Sequence, residues 1–572
     1  MRRLLIGATV ALVAGALTVP AQAGPSQQAK NSTQAAGAAS SSPAEYVVLY
    51  VKGASADAAH AAIKAAGGTV VRENRVVGLA TVRTTNANFL KATSAQPALV
   101  SAMENRAIGQ VPGGAGKTKP DGVENDTSVN ATAQATAKAA ATARRSSGSS
   151  VRNEPLADKQ WDMRQIDATP NGSYRVNQGS PGVRVGIIDT GIDGTHPDIK
   201  PNFNKALSRN FTTDLPQIDG ACEHASCVDP VDEDDEGHGT HVAGTVAAAI
   251  NGLGVAGVAP KVTLVNIRAG QDSGFFFLQP TIDALTYAGS AGIDVINMSF
   301  FVDPWLYNCL DNPADSPAEQ AEQRTVREAT QRALDFARAN GVLSIAALGN
   351  EATDIGNPTV DDTSPDFPAG AAKHRVVDNS CITVPTESNG VVSVSALGPS
   401  GRKAFYSNWG VEQTDVSAPG GDSREGFGTT RFNIPENRVL SALPKNVADA
   451  KGLLNPDGTP KTPLVLRDCK GTTCAYYQYL QGTSMASPHA VGVAALIVSK
   501  FGHKDRHHGG LTLDPRTTER ILRGTATQTP CPVPALFDYP ETNSVDALCE
   551  GTIEHNGFYG DGIVNALTAS IG

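Results

Sequence analysis

The stretch Gln481-Gly482-Thr483-Ser484-Met485-Ala486-Ser487-Pro488-His489 sets a hydroxyl residue after Gly-Thr and directly ahead of an apolar, Ala-rich run from Ala490 to Phe501. A helix starting there leaves its first backbone N–H groups unpaired, and these groups with the helix dipole favour negative charge. Pro488 is compatible with a first helical turn, where its missing N–H breaks no intrahelical bond. A serine hydroxyl so placed is a weak nucleophile. It needs a base, and a third group to orient that base.

Both are found upstream. Gly237-His238-Gly239-Thr240-His241 is a second glycine-marked entry into a helix of small residues, with His238 as the candidate base. Val185-Gly186-Ile187-Ile188-Asp189-Thr190-Gly191 is a β-rich apolar run closing on an acid and a turn glycine. Open α/β sheets carry their chemistry at the carboxyl ends of strands, which makes Asp189 the candidate orienting carboxylate. Taken singly, Ser484 reads as a helix cap, Asp189 as a turn residue and His238 as a loop histidine. Neither capping nor turn chemistry demands all three in the order Asp, His, Ser.

That order separates one class of Ser-His-Asp hydrolases from the others, and here the chain resembles the subtilisin-like serine peptidases. Two more segments carry the likeness. Ser344-Ile345-Ala346-Ala347-Leu348-Gly349-Asn350-Glu351 is similar to the family strand whose Asn side chain helps hold the oxyanion, a role the resemblance gives to Asn350. Ile296-Asn297-Met298-Ser299-Phe300 resembles the edge strand that pairs with the substrate, so Ser299, Phe300 and Phe301 are candidate substrate-binding residues. Tyr559-Gly560-Asp561-Gly562-Ile563-Val564-Asn565-Ala566 resembles the closing segment of the family. The likeness spans about Gln160 to Asn565. It implies an α/β three-layer sandwich with a mostly parallel central sheet. Phe301 stands where many members have a glycine beside the primary specificity pocket; it either narrows that pocket or packs into the core.

A metal reading of the histidines fails on spacing. His238 and His241 are three apart with no intervening Glu, although the acidic run Asp232-Glu233-Asp234-Asp235-Glu236 precedes them. A structural calcium is a separate matter. Asp198 and Asn251 match ligand positions of the family, with carbonyls of Ala249, Leu253 and Val255 completing an oxygen cage. The resemblance requires no cofactor for catalysis.

The 572 residues exceed one ordinary domain. Met1-Arg2-Arg3, the apolar run Leu4 to Leu17 and the ending Ala21-Gln22-Ala23 read as a secretory signal over residues 1–23. The expected product is therefore extracellular, with no membrane association after signal removal. A net charge of -10 gives no electrostatic case for nucleic acid. Eight cysteines, all between Cys222 and Cys549, favour disulfides in an exported chain. They permit about 100 pairings; short loops point to Cys222–Cys227, Cys469–Cys474 and Cys531–Cys549, leaving Cys309 with Cys381.

Residues 45–109 alternate strand and helix signals in the order β-α-β-β-α-β, a ferredoxin-like pattern. This unit is similar to the family propeptide, which assists folding and blocks the cleft. Residues 110–152 turn to Ala, Thr, Ser and Gly with few large apolar side chains, and read as a mobile linker with the activation region and the pair Arg144-Arg145. Residues 153–572 form the expected catalytic domain, with inserted stretches at Phe301 to Glu322 and from about Gly421 to Tyr479.

The expectation is a secreted serine endopeptidase, a zymogen and a monomer, acting on protein or peptide substrates and inhibited by its own propeptide. An exopeptidase of the tripeptidyl aminopeptidase type and a non-catalytic peptide-binding scaffold are the alternatives.

Overall fold

The computed structural model describes residues 43–105, 123, 124, 126–129, 153–368, 370–540 and 546–571. The expected signal segment and Arg144-Arg145 lie outside the described residues.

Strands β1 (Ala44–Tyr50), β2 (Gly68–Asn74), β3 (Leu79–Thr84) and β4 (Leu99–Glu104) form an antiparallel sheet in the order β2-β3-β1-β4. Helices α1 (Ala56–Ala65) and α2 (Phe89–Ser94) supply Ile63 and Phe89 to its core, against Val48 and Val82.

The larger sheet has seven strands: β5 (Arg184–Ile188), β6 (Arg209–Asn210), β7 (Thr263–Arg268), β8 (Val295–Met298), β9 (Leu343–Ala347), β10 (Val391–Leu397) and β11 (Val416–Pro419). Their order is β11-β10-β9-β8-β5-β7-β6, and every pairing is parallel. A parallel sheet buried on both faces needs apolar residues of both parities along each strand. Val185 and Ile187 face one core while Ile188 faces the other. The first core is filled by α3 (His238–Ala247) and by α6 (Thr483–Phe501), the second by α4 (Leu278–Ser290) and α5 (Pro317–Ala339). The class is thus the expected three-layer α/β sandwich.

Helix α6 is buried at every residue from Thr483 to Val498, as an all-round apolar helix must be. It begins at Thr483, so Pro488 lies inside it rather than in the first turn. The cost is one missing donor, for the carbonyl of Ser484 four residues earlier. The sequence predicts a helix over Thr325 to Asn340; helix α5 starts eight residues earlier, at Pro317. Ser316 and Glu319 form a reciprocal capping box and Pro317 takes the first position, so part of the expected insertion 301–322 is helix. The second insertion folds as an antiparallel sheet of β12 (Val439–Leu443), β13 (Val465–Lys470) and β14 (Thr473–Leu480). Three of the four disulfides are those that short loops suggest, and the fourth, Cys309–Cys381, is the pair left over.

The small sheet docks on α4 and α5. Asn74 Nδ2 donates to Asp283 Oδ1 at 2.8 Å and Thr286 Oγ1 at 2.7 Å, and Arg332 Nη1 donates to the carbonyls of Tyr50 and Val77 at 2.8 and 3.1 Å.

Candidate active site

Asp189 follows β5 and His238 opens α3. The imidazole Nδ1 lies 2.7 Å from Asp189 Oδ1, which also accepts the Thr190 N–H at 2.8 Å. Such close approach needs a residue without a side chain next to His238. A Cβ on Gly239 would lie 2.1 Å from the Gly191 carbonyl and 3.0 Å from Asp189 Cβ. Buried Asp234 then satisfies the unpaired donors of the helix: its Oδ1 accepts from Gly237 N at 2.9 Å and its Oδ2 from Thr240 N at 3.0 Å. Glu236 Oε2 accepts from His238 N at 2.7 Å, so two members of the acidic run cap the histidine helix, a role that local sequence did not disclose.

Ser484 is the second residue of α6. Its carbonyl, deprived of the Pro488 donor, accepts a hydrogen bond from Ser299 Oγ at 3.1 Å. Asn297 Nδ2 donates to the same Ser299 Oγ at 2.9 Å, and Ser487 Oγ donates to Asn297 Oδ1 at 2.8 Å. A buried network therefore joins the end of β8 to the start of α6.

Asn350 follows β9. Its Oδ1 accepts from both Thr483 N and Thr483 Oγ1 at 2.9 Å, which turns Nδ2 toward the cleft. There Nδ2 donates to Glu124 Oε1 at 3.0 Å. The other carboxylate oxygen of Glu124 lies 3.4 Å from His238 Nε2, and Ser484 is close enough to the same carboxylate to help hold its pKa down. Asp189, His238, Ser484 and Asn350 are therefore brought together, around a carboxylate from the stretch read above as a linker.

The electrostatics follow this geometry. Burial by itself lowers His238, but the charge and hydrogen bond of Asp189, and then Glu124, outweigh it and hold the imidazole well above its ordinary value. Burial raises Glu124, yet its bonds to His238, Ser484 and Asn350 hold it below the usual carboxylate range. The second histidine of the motif behaves differently. His241 is pushed down to about 3 by burial, and a ring nitrogen lies 3.0 Å from the Gln478 carbonyl.

The cleft beside Ser484 is lined by Ser299, Phe300, Phe301, Leu306, Leu348 and Thr383. Phe300 stacks on Phe276 with ring centroids 4.1 Å apart. Phe301 lines the cleft and packs against the buried cluster of Leu306, Tyr307 and Leu348.

A model of the subtilase family (Peptidase S8) matches residues 180–551. The chain belongs to the subtilase family. This subtilase is 30% identical over 319 residues to subtilisin DY of Bacillus licheniformis, covering 56% of this chain and 77% of that protein. It is 29% identical over 355 residues to the nisin leader peptide-processing serine protease NisP of Lactococcus lactis subsp. lactis, covering 61% and 45%. The epidermin leader peptide processing serine protease of Staphylococcus aureus shares the fold with a TM-score of 0.61 and 21% identity, over 93% of this chain and 99% of that one. Among the described residues no helix of this subtilase is long and apolar enough to cross a membrane.

The calcium candidates of this subtilase also meet. Asn251 Nδ2 donates to Asp198 Oδ1 at 3.0 Å, while Asp198 Oδ2 accepts the Tyr477 hydroxyl at 2.7 Å. Asn251 Oδ1 is buried and accepts no hydrogen bond among the described residues. Glu154, which sequence did not single out, accepts the Gly252 N–H at 2.8 Å and is raised to about 7 by burial, with Asp198 adding to the rise. Two desolvated carboxylates and an unused amide oxygen suit a hard cation. Lys470 Nζ, 2.6 Å from the Asn251 carbonyl, already supplies part of that charge.

Proposed function

We propose that this subtilase is a secreted serine endopeptidase, made as a precursor, that cleaves proteins or peptides through Asp189, His238 and Ser484. The observation that carries the reading is that one carboxylate reaches Asn350 Nδ2, His238 and Ser484 together. A carboxylate bonded to Asn350 Nδ2 and close to His238 and Ser484 supports an oxyanion site there.

In this reading Ser484 Oγ attacks the scissile carbonyl as His238 Nε2 takes its proton, forming the tetrahedral adduct. Asn350 Nδ2 and the Ser484 N–H, at the start of α6, hold the oxyanion. His238 then returns the proton to the leaving amine, and water repeats the sequence on the acyl-enzyme. Asp189 keeps Nδ1 protonated and stabilises the imidazolium. A structural calcium at Asp198, Asn251 and Glu154 would serve stability and not the chemistry. The small domain, docked on α4 and α5, acts as the propeptide, and the mature enzyme is a monomer.

The test is turnover of a peptide library by the mature enzyme and by its Ser484→Ala variant, with each peptide supplied free and N-terminally blocked. Cleavage of blocked peptides, abolished by the substitution, supports the endopeptidase. Cleavage of free peptides alone, releasing short N-terminal fragments, selects the exopeptidase. No cleavage and no labelling of Ser484 by a fluorophosphonate selects the non-catalytic scaffold.

A further inference from the structure

We propose that Val123, Glu124 and residues 126–129 form a self-inhibitory segment, separate from the small domain, whose Glu124 carboxylate fills the oxyanion pocket and engages the Nε2 nitrogen of His238. The inference rests on the peptidase reading above.

The composition around this stretch gives no reason for order, so its placement comes from what it touches. Val123 packs against the core of the larger domain and its carbonyl accepts from Gln481 Nε2 at 3.3 Å. Beyond Glu124, buried Arg438 Nη2 donates to the carbonyls of Asp126 and Ser128 at 3.3 and 3.0 Å. Asn433 Nδ2 donates to Ser128 Oγ at 3.1 Å, and Val129 packs on Leu253 and Tyr477 and their neighbours. The Asp126 carboxylate lies 3.8 Å from Arg438 and 4.0 Å from Arg424. Arg424, Asn433 and Arg438 all belong to the second insertion, which thereby gains a role: it anchors the segment on one side of Ser484.

Glu124 itself is 8% exposed. Its side chain lies on the bare backbone of Gly482, where a Cβ would come within 2.5 Å of Oε1. A desolvated carboxylate is costly unless its lone pairs are used; here Asn350 Nδ2 donates to one oxygen and His238 Nε2 faces the other, with Ser484 beside them. The fit is that of an anion in an anion pocket. What fills it is a side-chain carboxylate, not a peptide carbonyl, so no leaving amine is presented and no bond is poised to break. The same contact occupies His238 Nε2, the nitrogen that would take the Ser484 proton. An imidazole held in its charged form by two carboxylates cannot act as that base.

The experiment uses the full-length precursor in wild-type, Glu124→Gln and Glu124→Ala forms. Each is exposed to a fluorophosphonate before any cleavage product is visible, and the labelling rate of Ser484 is divided by that of the mature form made from the same precursor. The ratio corrects for unequal folding. If the plug closes the site most of the time, both variants label about tenfold or more faster than the wild-type precursor. A second measurement follows the His238 ring by NMR in the Ser484→Ala precursor, where Glu124→Gln should shift the ring resonances. Equal labelling ratios in the three precursors, with a mature form that labels readily, would overturn the plug and leave the peptidase reading intact. A wild-type mature form that does not label would sink the peptidase reading and the plug with it. Unchanged His238 resonances on Glu124→Gln substitution would also overturn the plug.

Discussion

Ser299 Oγ donates a hydrogen bond to the carbonyl of Ser484 at 3.1 Å, in place of the backbone N–H that Pro488 lacks. Proline thus opens the carbonyl of Ser484, the proposed nucleophile, and Ser299 at the end of β8 closes it. Ser299→Ala leaves that carbonyl buried without its donor and should cost about 1–3 kcal/mol of stability. The double variant Ser299→Ala, Pro488→Ala restores an N–H to the helix and should recover most of the loss. Chemical denaturation of the two variants checks this; a double variant no more stable than Ser299→Ala would refute the exchange.

Asn350 is aimed by Thr483 through two hydrogen bonds to its side-chain oxygen. Asn350→Leu should lower kcat of the mature enzyme by about 10²–10³ with little change in KM, a loss known for oxyanion donors in this family. Thr483→Val keeps the backbone bond and removes the hydroxyl one, so its kcat should fall between those of wild type and Asn350→Leu. Steady-state kinetics on one peptide substrate decide both.

The Glu124–His238 contact has a signed pH dependence. His238 is raised in the folded precursor, so its contribution is present below the ordinary imidazole value and fades as pH climbs through the raised one. Glu124 is lowered, so its contribution is present above the ordinary carboxylate value and fades on acidification. The Tm difference between Ser484→Ala precursors with and without Glu124→Gln should therefore be largest from about pH 5 to pH 7 and shrink on both sides. Calorimetry across pH measures it, and a constant difference would contradict the ion pair.

Asp198, Asn251 and Glu154 gather oxygen donors that a calcium ion would complete. Excess chelator should lower the Tm of the mature enzyme, and Asp198→Asn should abolish the response without changing the pH profile of kcat. Isothermal titration with calcium alone gives an independent reading.

Arg332 ties the small domain to α5 by donating to two of its main-chain carbonyls. Arg332→Ala should hasten dissociation of residues 43–105 after processing, about tenfold if both charge-assisted bonds are lost at 1–2 kcal/mol in total. Size-exclusion analysis of the processed mixture over time follows the release.

Much of this site was legible along the chain. The order Asp189, His238, Ser484 and the glycines beside them mark two helix starts and a strand end, but the segment expected as an edge strand at Ile296 to Phe300 overlaps β8, Val295–Met298, which pairs on both sides with β5 and β9. Asp234 was not legible as a cap, because five consecutive acids look alike until one of them turns under α3. Helix α5 was read short because its first two turns are polar, and the Ser316–Glu319 box starts it earlier than its apolar stripe does.

Local chemistry by itself determined the strand periodicity, the helix entries and the residue types able to perform acyl transfer, since each depends on neighbours a few positions apart. Only the tertiary structure decided what faces them. Glu124 meets a donor 226 positions away, and Arg438 reaches carbonyls more than 300 positions back. A polar stretch with no core of its own takes its place from such partners, and no local pattern encodes contacts at that range.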